Sequence, residues 1–247
     1  MTKLDIPILY EDADMIVVDK PAEVLVHNDG HSSEPTIVDW LLARNPDVKG
    51  VGEETSSPQG EMLERSGVVH RLDRDTSGVL VLAKTAAAFT HLKSQFHDRL
   101  VKKTYRTFVY GRMSAQTGTI DRAIGRSASD FRKRSAMRGA KGRLREAVTH
   151  WRRLRVGQYE GEGFSYLEVQ PVTGRTHQIR VHLRALERPV VGDQLYGGYK
   201  GEHSNNLGLS RLALHAFSLC LTLPSGEVQT FTAPEPAEFN AAEERLT

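Results

Sequence analysis

Cysteine and long apolar runs are what this 247-residue sequence has least of. Its single cysteine, Cys220, excludes an internal disulfide framework and any zinc or iron–sulfur site with several cysteine ligands. The longest apolar run is the five residues Val79 to Ala83, whereas a membrane-spanning helix needs about 18. The chain begins with acidic side chains where a signal peptide would be basic and then apolar. These absences predict a soluble, cytoplasmic protein.

The formal net charge of +2 conceals three segments of different charge. Residues 1–64 carry 4 Lys/Arg and 14 Asp/Glu, residues 65–155 carry 22 and 6, and residues 156–247 carry 7 and 11. The middle segment therefore has a net charge of +16, and a local field of this sign attracts polyanions. It indicates a nucleic-acid-binding segment, although a solvated basic surface would have the same composition.

Short apolar runs between turn residues predict an α+β fold, with a mixed, mainly antiparallel sheet flanked by helices and loops. Near the N-terminus they predict three strands, the last of them VLVH at 24–27. The runs 67–72 and 79–83 predict two more strands, and KKTYRTFVYG has strict strand alternation.

Apolar spacing predicts helices after Pro35, after Thr85 and over 177–186. Residues 127–145 follow neither a strand nor a helix period, so we expect a basic loop inserted between strands. The apolar runs continue evenly along the chain, which predicts one catalytic domain over residues 1–247.

The densest polar cluster is HRLDRDTSG, at residues 70–78. An aspartate at the exit of an apolar strand, followed by a turn with hydroxyls and glycine, is a common setting for catalytic groups. Asp73, Asp75 and Ser77 imitate the start of a calcium loop, but its twelfth position is Lys84, and a cation there excludes this site. Two chemistries remain open: magnesium-dependent phosphoryl transfer, or a carboxylate that acts as nucleophile without a metal.

Five motifs follow one another along most of the chain: HRLDRDTSG, KKTYRTFVYG, LEVQPVTGRTHQIRVHL, PVVGDQLYG and RLALHAFSL. In this order they resemble the RluA-type pseudouridine synthases, and the N-terminal ILYEDADMIVVDKPAEVLVH is similar as well. The resemblance implies that family's fold, with an active-site cleft across the sheet, and an RNA isomerase. The reaction rejoins uracil to ribose through carbon with no redox change and no net hydrolysis, so no cofactor and no metal are expected.

The resemblance assigns the role of catalytic carboxylate to Asp73. Arg175, in the GRTHQIR run, matches the cation that pairs with this carboxylate and keeps it ionised. Tyr105, in the K-x-Y run, matches the tyrosine that lies against the base. Arg71 matches the arginine that enters the RNA where the base has left, and Leu214 is expected to line the uracil pocket.

The histidines do not suggest a metal site. We interpret His70 as a hydrogen-bonded structural residue rather than a base. His177 and His182 are five residues apart, which does not place them together on one helix face as a metal pair requires.

The catalytic pattern begins within the first ten residues, so we expect no separate N-terminal RNA-binding domain. Target selection would then depend on the basic surface of residues 122–155, where Arg132, Lys133 and Arg134 of the inserted loop 127–145 are expected to contact phosphates. Ribosomal RNA is the expected substrate by analogy, and transfer RNA is the alternative. A non-catalytic RNA-binding or ribosome-assembly protein is the rival from another class. We expect the protein to be a monomer.

Overall fold

The protein forms two compact units. The first contains residues 1–102 and 216–233, and the second contains residues 103–215 and 234–247. The expectation of one catalytic domain over the whole chain stays a prediction. A computed structural model describes residues 4–28, 32, 34–53, 55–56, 62–137, 139–197, 203 and 205–247.

Strands outnumber helices in the described residues. In chain order the elements are β1 (Ile8–Glu11), β2 (Met15–Lys20), α1 (Ile37–Arg44), a 3-10 turn (Pro46–Val48), β3 (Thr55–Ser56), β4 (Met62–Leu63), β5 (Ser77–Ala83), α2 (Ala86–His97), β6 (Lys102–Tyr110), β7 (Thr117–Asp121), β8 (Ile124–Arg126), β9 (Arg134–Ser135), β10 (Lys141–Arg145), β11 (Val148–Tyr159), β12 (Glu162–Pro171), α3 (Gln178–Ala185), β13 (Leu214–Thr222), β14 (Val228–Thr232) and α4 (Ala237–Arg245). Antiparallel pairing predominates, which confirms the predicted α+β class. Among the described helices, none is both long and apolar enough to cross a membrane.

In the first unit the strand order is β1-β2-β5-β13, and β14 pairs with β13. All seven residues of β5 are buried, as a central strand requires. Helix α2 begins at the N-cap Thr85, whose hydroxyl accepts from the Ala88 N–H, and it buries Ala88 and Leu92 in this unit's core. The buried β5 strand is therefore the rigid element next to the HRLDRDTSG cluster.

Two predicted strands in the first unit are wrong. Residues 24–27 form no strand, because the carbonyls of Leu25 and Val26 accept hydrogen bonds from the first N–H groups of α1 instead. Residues 67–72 contribute only an isolated bridge between Val68 and Leu82. The N–H of Val81 donates to the His70 ring at 3.1 Å, so a side chain replaces the backbone partner that a strand would supply.

In the second unit the strand order is β6-β12-β11-β7, with β11 and β12 forming a long hairpin. Its core contains Phe108 and Tyr166, whose rings stack at 4.3 Å, and Phe239 of α4 meets Phe108 edge-on. Helix α3 contributes Ile179 and Leu183 to the same core. This confirms the predicted apolar face of the helix that follows the TGRT turn.

The basic stretch 127–145 is not a loop throughout, because it contains the strands β9 and β10, which pair with β8 in a small sheet of order β10-β8-β9. We call this sheet and its connections, residues 124–145, the basic arm. All five residues of β10 are exposed, so neither of its faces needs apolar side chains and no period marks it in the sequence. The arm is anchored by Ile124, which packs with Val181 and Tyr196, and by the Tyr196 hydroxyl, which accepts from the Arg134 N–H at 2.8 Å.

Candidate active site and nucleic-acid interface

Asp73 lies in a tight turn just before β5, and not after a strand as the sequence suggested. The Thr76 N–H donates to the Asp73 carbonyl at 3.1 Å and closes the turn. Leu72 is buried, Asp73 is half-buried and Arg71 is exposed. Leu72 therefore anchors the segment, while the two polar side chains beside it keep access to solvent.

The buried side chain of Lys20 fixes this turn from inside the fold. The sequence analysis did not identify this residue. Its side chain is fully buried at the end of β2. The Nζ atom donates to the carbonyls of Pro21, Val24 and Arg74 at 2.7, 2.8 and 2.9 Å. A buried ammonium needs such partners, and the bond to Arg74 ties the Asp73 turn to a strand 54 residues away in sequence. The sequence signal for this role was a lysine two residues after the apolar run MIVV.

Gly78 makes the close packing behind the turn possible. Its backbone has a φ of +112°, and a Cβ atom at this position would lie 2.2 Å from the carbonyl oxygen of Ala216. Only glycine fits both conditions. Lys20 and Gly78 are register partners between β2 and β5, so the two constraints act at the same end of the sheet.

Arg71 is oriented by a histidine. Its Nη1 lies 3.1 Å from Nε2 of His27, and Nδ1 of His27 lies 2.8 Å from the carbonyl of Asn28. A carbonyl can only accept, so Nδ1 carries the proton and Nε2 accepts from the guanidinium. His70 accepts from the Val81 N–H and stacks on Phe96 at 4.3 Å, which confirms its structural role.

Arg175 lies in the second unit, in the turn between β12 and α3. Its Nε donates to the Glu146 carbonyl and its backbone N–H donates to Oε1 of Gln178, both at 3.0 Å. Gln178 is buried, and its Oε1 also accepts from the Thr173 hydroxyl at 2.7 Å. Gln178, which the sequence analysis also missed, thus holds both ends of the turn that carries the Arg175 guanidinium.

Tyr105 and Leu214 also belong to the second unit. Tyr105 is half-buried on β6 opposite Val169 of β12, and it packs against this unit's core. Leu214 is buried at the start of β13 and is part of the same core. Asp73 and Arg71 lie in the first unit, so a joint site, with Arg175 paired to Asp73, stays a prediction.

The basic arm presents Arg132, Lys133 and Arg134 at its β9 end. Arg132 already has a partner, since its Nε and Nη2 lie 3.1 and 2.9 Å from the Asp130 carboxylate. These hydrogen bonds, with that from the Arg132 backbone, lower the pKa of Asp130 to about 2. The sequence analysis missed the neighbouring Phe131, whose side chain is 88% exposed. An exposed aromatic ring among cations can stack on an unpaired base.

No metal site is evident in the part of the chain that the structure describes: no three His, Cys, Asp or Glu side chains there are grouped to hold an ion. His182 is fully buried between the Thr149 hydroxyl at 2.8 Å and the Arg122 carbonyl at 2.9 Å. Its two ring nitrogens therefore have hydrogen-bonding partners within the protein.

Comparison with known proteins defines the class. The profile described as RNA pseudouridylate synthase matches residues 14–185. An uncharacterised RNA pseudouridine synthase of Synechocystis is 42% identical over 238 residues, covering 96% of this chain and 67% of the relative. The ribosomal large subunit pseudouridine synthase D of Xanthomonas campestris is 41% identical over 246 residues, covering 95% and 68%. The matched region thus spans about two thirds of each relative.

A solved structure agrees with these sequence matches. Human RNA pseudouridylate synthase domain containing 1 is 30% identical, superposes with a TM-score of 0.73, and is matched over 94% of this chain and 84% of the human one. The class is therefore that of RNA-modifying isomerases. Within that class the chain belongs to the RNA pseudouridylate synthase family, as an RluA-type member.

Proposed function

We propose that this protein converts uridine to pseudouridine in structured RNA, with Asp73 as the catalytic carboxylate. The observation that carries the proposal is the Asp73 turn, which is fixed by the buried Lys20 ammonium and packed through Gly78. Such rigidity is what a group that must meet a reacting atom requires.

In the proposed reaction the target uridine leaves its stack and Asp73 attacks the nucleotide or stabilises its electron-poor sugar. The bond from ribose to the ring nitrogen breaks, and a bond from ribose to a ring carbon forms. That carbon loses a proton and the freed nitrogen gains one, so atoms and charge balance without a co-reactant. Tyr105 would lie against the base, Arg175 would keep Asp73 ionised and Leu214 would line the pocket.

Ribosomal RNA is the proposed substrate, and the similarity to a protein named for the large ribosomal subunit supports it. The protein would then act in the cytoplasm as a monomer, without a metal or a cofactor. Transfer RNA remains the alternative target. The basic arm would bind phosphates through Lys133 and Arg134, with Arg132 shared between RNA and Asp130.

The test incubates wild-type protein, Asp73→Asn and Asp75→Asn with total RNA in EDTA, and then maps pseudouridine chemically in ribosomal and transfer RNA. Asp75→Asn is the matched control, because it removes the same charge two residues away. We expect new sites in ribosomal RNA with the wild type and the control, and none with Asp73→Asn. Modification by Asp73→Asn would disprove the assigned nucleophile, and RNA binding without modification by the wild type would favour the non-catalytic rival.

A further inference from the structure

The first unit contains a pocket of about 180 Å³ whose charged lining residues are mainly cations. This volume would hold several waters or one phosphate group. Arg65, Arg71 and Lys93 line the pocket together with His27 and His70, and Glu53 is the one carboxylate among the described residues of its lining. Glu53 pairs with Lys93 at 3.2 Å, and their side chains are 66% and 41% exposed. Among the described lining residues, the other cations therefore have no acidic partner.

Arg65 is the least satisfied of these groups. Its Nε atom is buried and has no hydrogen-bond partner among the described residues. Burial, and then the neighbouring Arg71 charge, lower the pKa of Arg65. A buried donor without an acceptor, next to a like charge, is a costly arrangement that an anion would relieve.

Arg71 is aimed within the same pocket. The bond between its Nη1 and Nε2 of His27 uses one edge of the guanidinium and leaves other N–H groups for a ligand. Val68, Val69 and Phe89 form the rest of the wall, so the polar groups converge in a partly apolar setting, where charge-assisted hydrogen bonds are strong.

We propose that this pocket is a subsite for one backbone phosphate of the bound RNA, held by Arg65 with Arg71 and Lys93. The inference rests on the proposed function, together with the contact between Arg71 and RNA that the family resemblance implies. A strand that contacts Arg71 has its neighbouring phosphates within reach of the same pocket, because Arg65 and Arg71 share its wall. The subsite would hold the strand in position without reading its sequence.

The first experiment measures affinity for a uridine-rich single-stranded RNA oligonucleotide across a range of salt concentrations, with wild type, Arg65→Gln and Arg44→Gln. Arg44 is the matched control, an exposed arginine of the same unit that pairs with Glu11 and does not line the pocket. We expect Arg65→Gln to weaken binding about tenfold and to reduce the slope of log affinity against log salt by about 0.7. Arg44→Gln should leave both unchanged, and an unchanged slope for Arg65→Gln would overturn the proposal.

A second variant covers the case in which Arg65→Gln does not fold. Lys93→Gln removes a more exposed cation from the same pocket, and it should lower the slope by less than Arg65→Gln, because Glu53 already partly neutralises Lys93. If Lys93→Gln also leaves the slope unchanged, the subsite is absent.

The last arm separates RNA from a free anion. Thermal unfolding is compared in inorganic phosphate and in chloride at equal ionic strength. Stabilisation by phosphate that Arg65→Gln abolishes, with an unchanged RNA slope, would assign the pocket to a free anion and overturn the RNA subsite.

Pseudouridine formation by the wild type distinguishes a failure of the subsite from a failure of the proposed function. If pseudouridine forms while Arg65→Gln binds RNA normally, only the subsite fails. If it is absent while Arg65→Gln weakens binding, only the proposed function fails.

Discussion

The Asp73 turn and the basic arm are both polar segments, but they are held in opposite ways. The turn is fixed from inside, by the buried Lys20 ammonium and by a glycine against a backbone carbonyl. The arm is a small sheet whose β10 strand is exposed throughout. A group that performs chemistry gains from rigidity, whereas groups that collect phosphates gain from exposure. The first two predictions below each break one side of this contrast, and the third tests a buried histidine of α3, the helix whose Val181 packs against Ile124 of the arm.

The largest effect is expected from Gly78→Ala. The added Cβ would meet the Ala216 carbonyl at 2.2 Å and would also force a strained φ, so we expect a loss of unfolding free energy of about 3 kcal/mol. The matched control is Gly226→Ala, which has a φ of +91° with nothing within 4 Å of the new Cβ, and should cost about 1 kcal/mol. Urea unfolding measures both. Equal losses of unfolding free energy would mean that the contact between the new Cβ and the Ala216 carbonyl does not destabilise the fold.

The next effect concerns the arm. Replacing Arg132, Lys133 and Arg134 with Gln should weaken RNA binding and reduce its salt slope by about 1.5, because Arg132 is already partly neutralised by Asp130. Turnover at saturating RNA should stay close to the wild-type value. The double variant Arg132→Lys/Arg134→Lys keeps the charge and should keep the slope. A triple variant that binds normally but turns over slowly would place the arm with the catalytic groups instead.

The smallest effect is a pH dependence of stability. Burial lowers the pKa of His182 in the folded protein, while the unfolded chain keeps a pKa of about 6.5. Below this pH the unfolded state binds a proton that the folded state does not, so stability is present above 6.5 and falls at lower pH. We therefore expect unfolding free energy to be lost as the pH falls below about 6.5. His182→Gln should flatten the fall in melting temperature between pH 7.5 and 5.5, whereas replacement of the exposed His97 with Gln should not. Identical profiles for the wild type and His182→Gln would refute His182 as the source of the pH dependence.

Sequence pattern was informative where alternation reflects one buried face. It predicted the strand around Tyr105 and the helix after the TGRT turn, because the apolar residues of each recur at a strand or helix period and enter the core. It failed for residues 67–72, where the His70 ring replaces a backbone partner, and for the basic arm, where β10 has no buried face. Lys20 and Gln178 escaped notice because each also donates to a carbonyl far away in sequence, that of Arg74 and that of Val148, and residue order does not show such contacts.

The recognised motifs gave candidate roles for Asp73, Tyr105 and Arg175, since residue order alone carries the family resemblance. Order does not convey distances. It could not reveal that Arg65 lies in a pocket with Arg71, because that neighbourhood depends on contacts such as the hydrogen bond from the Gly67 N–H to the Val51 carbonyl, 16 residues away.

The burial of Lys20 has a chemical consequence. An amine-reactive reagent needs a deprotonated, accessible Nζ atom, and this one is enclosed and bonded to three carbonyl oxygens. Its acylation in the native protein therefore requires the Asp73 turn to open, whereas exposed lysines such as Lys49 react directly. The rate of acylation at Lys20 would thus report how often the Asp73 turn opens.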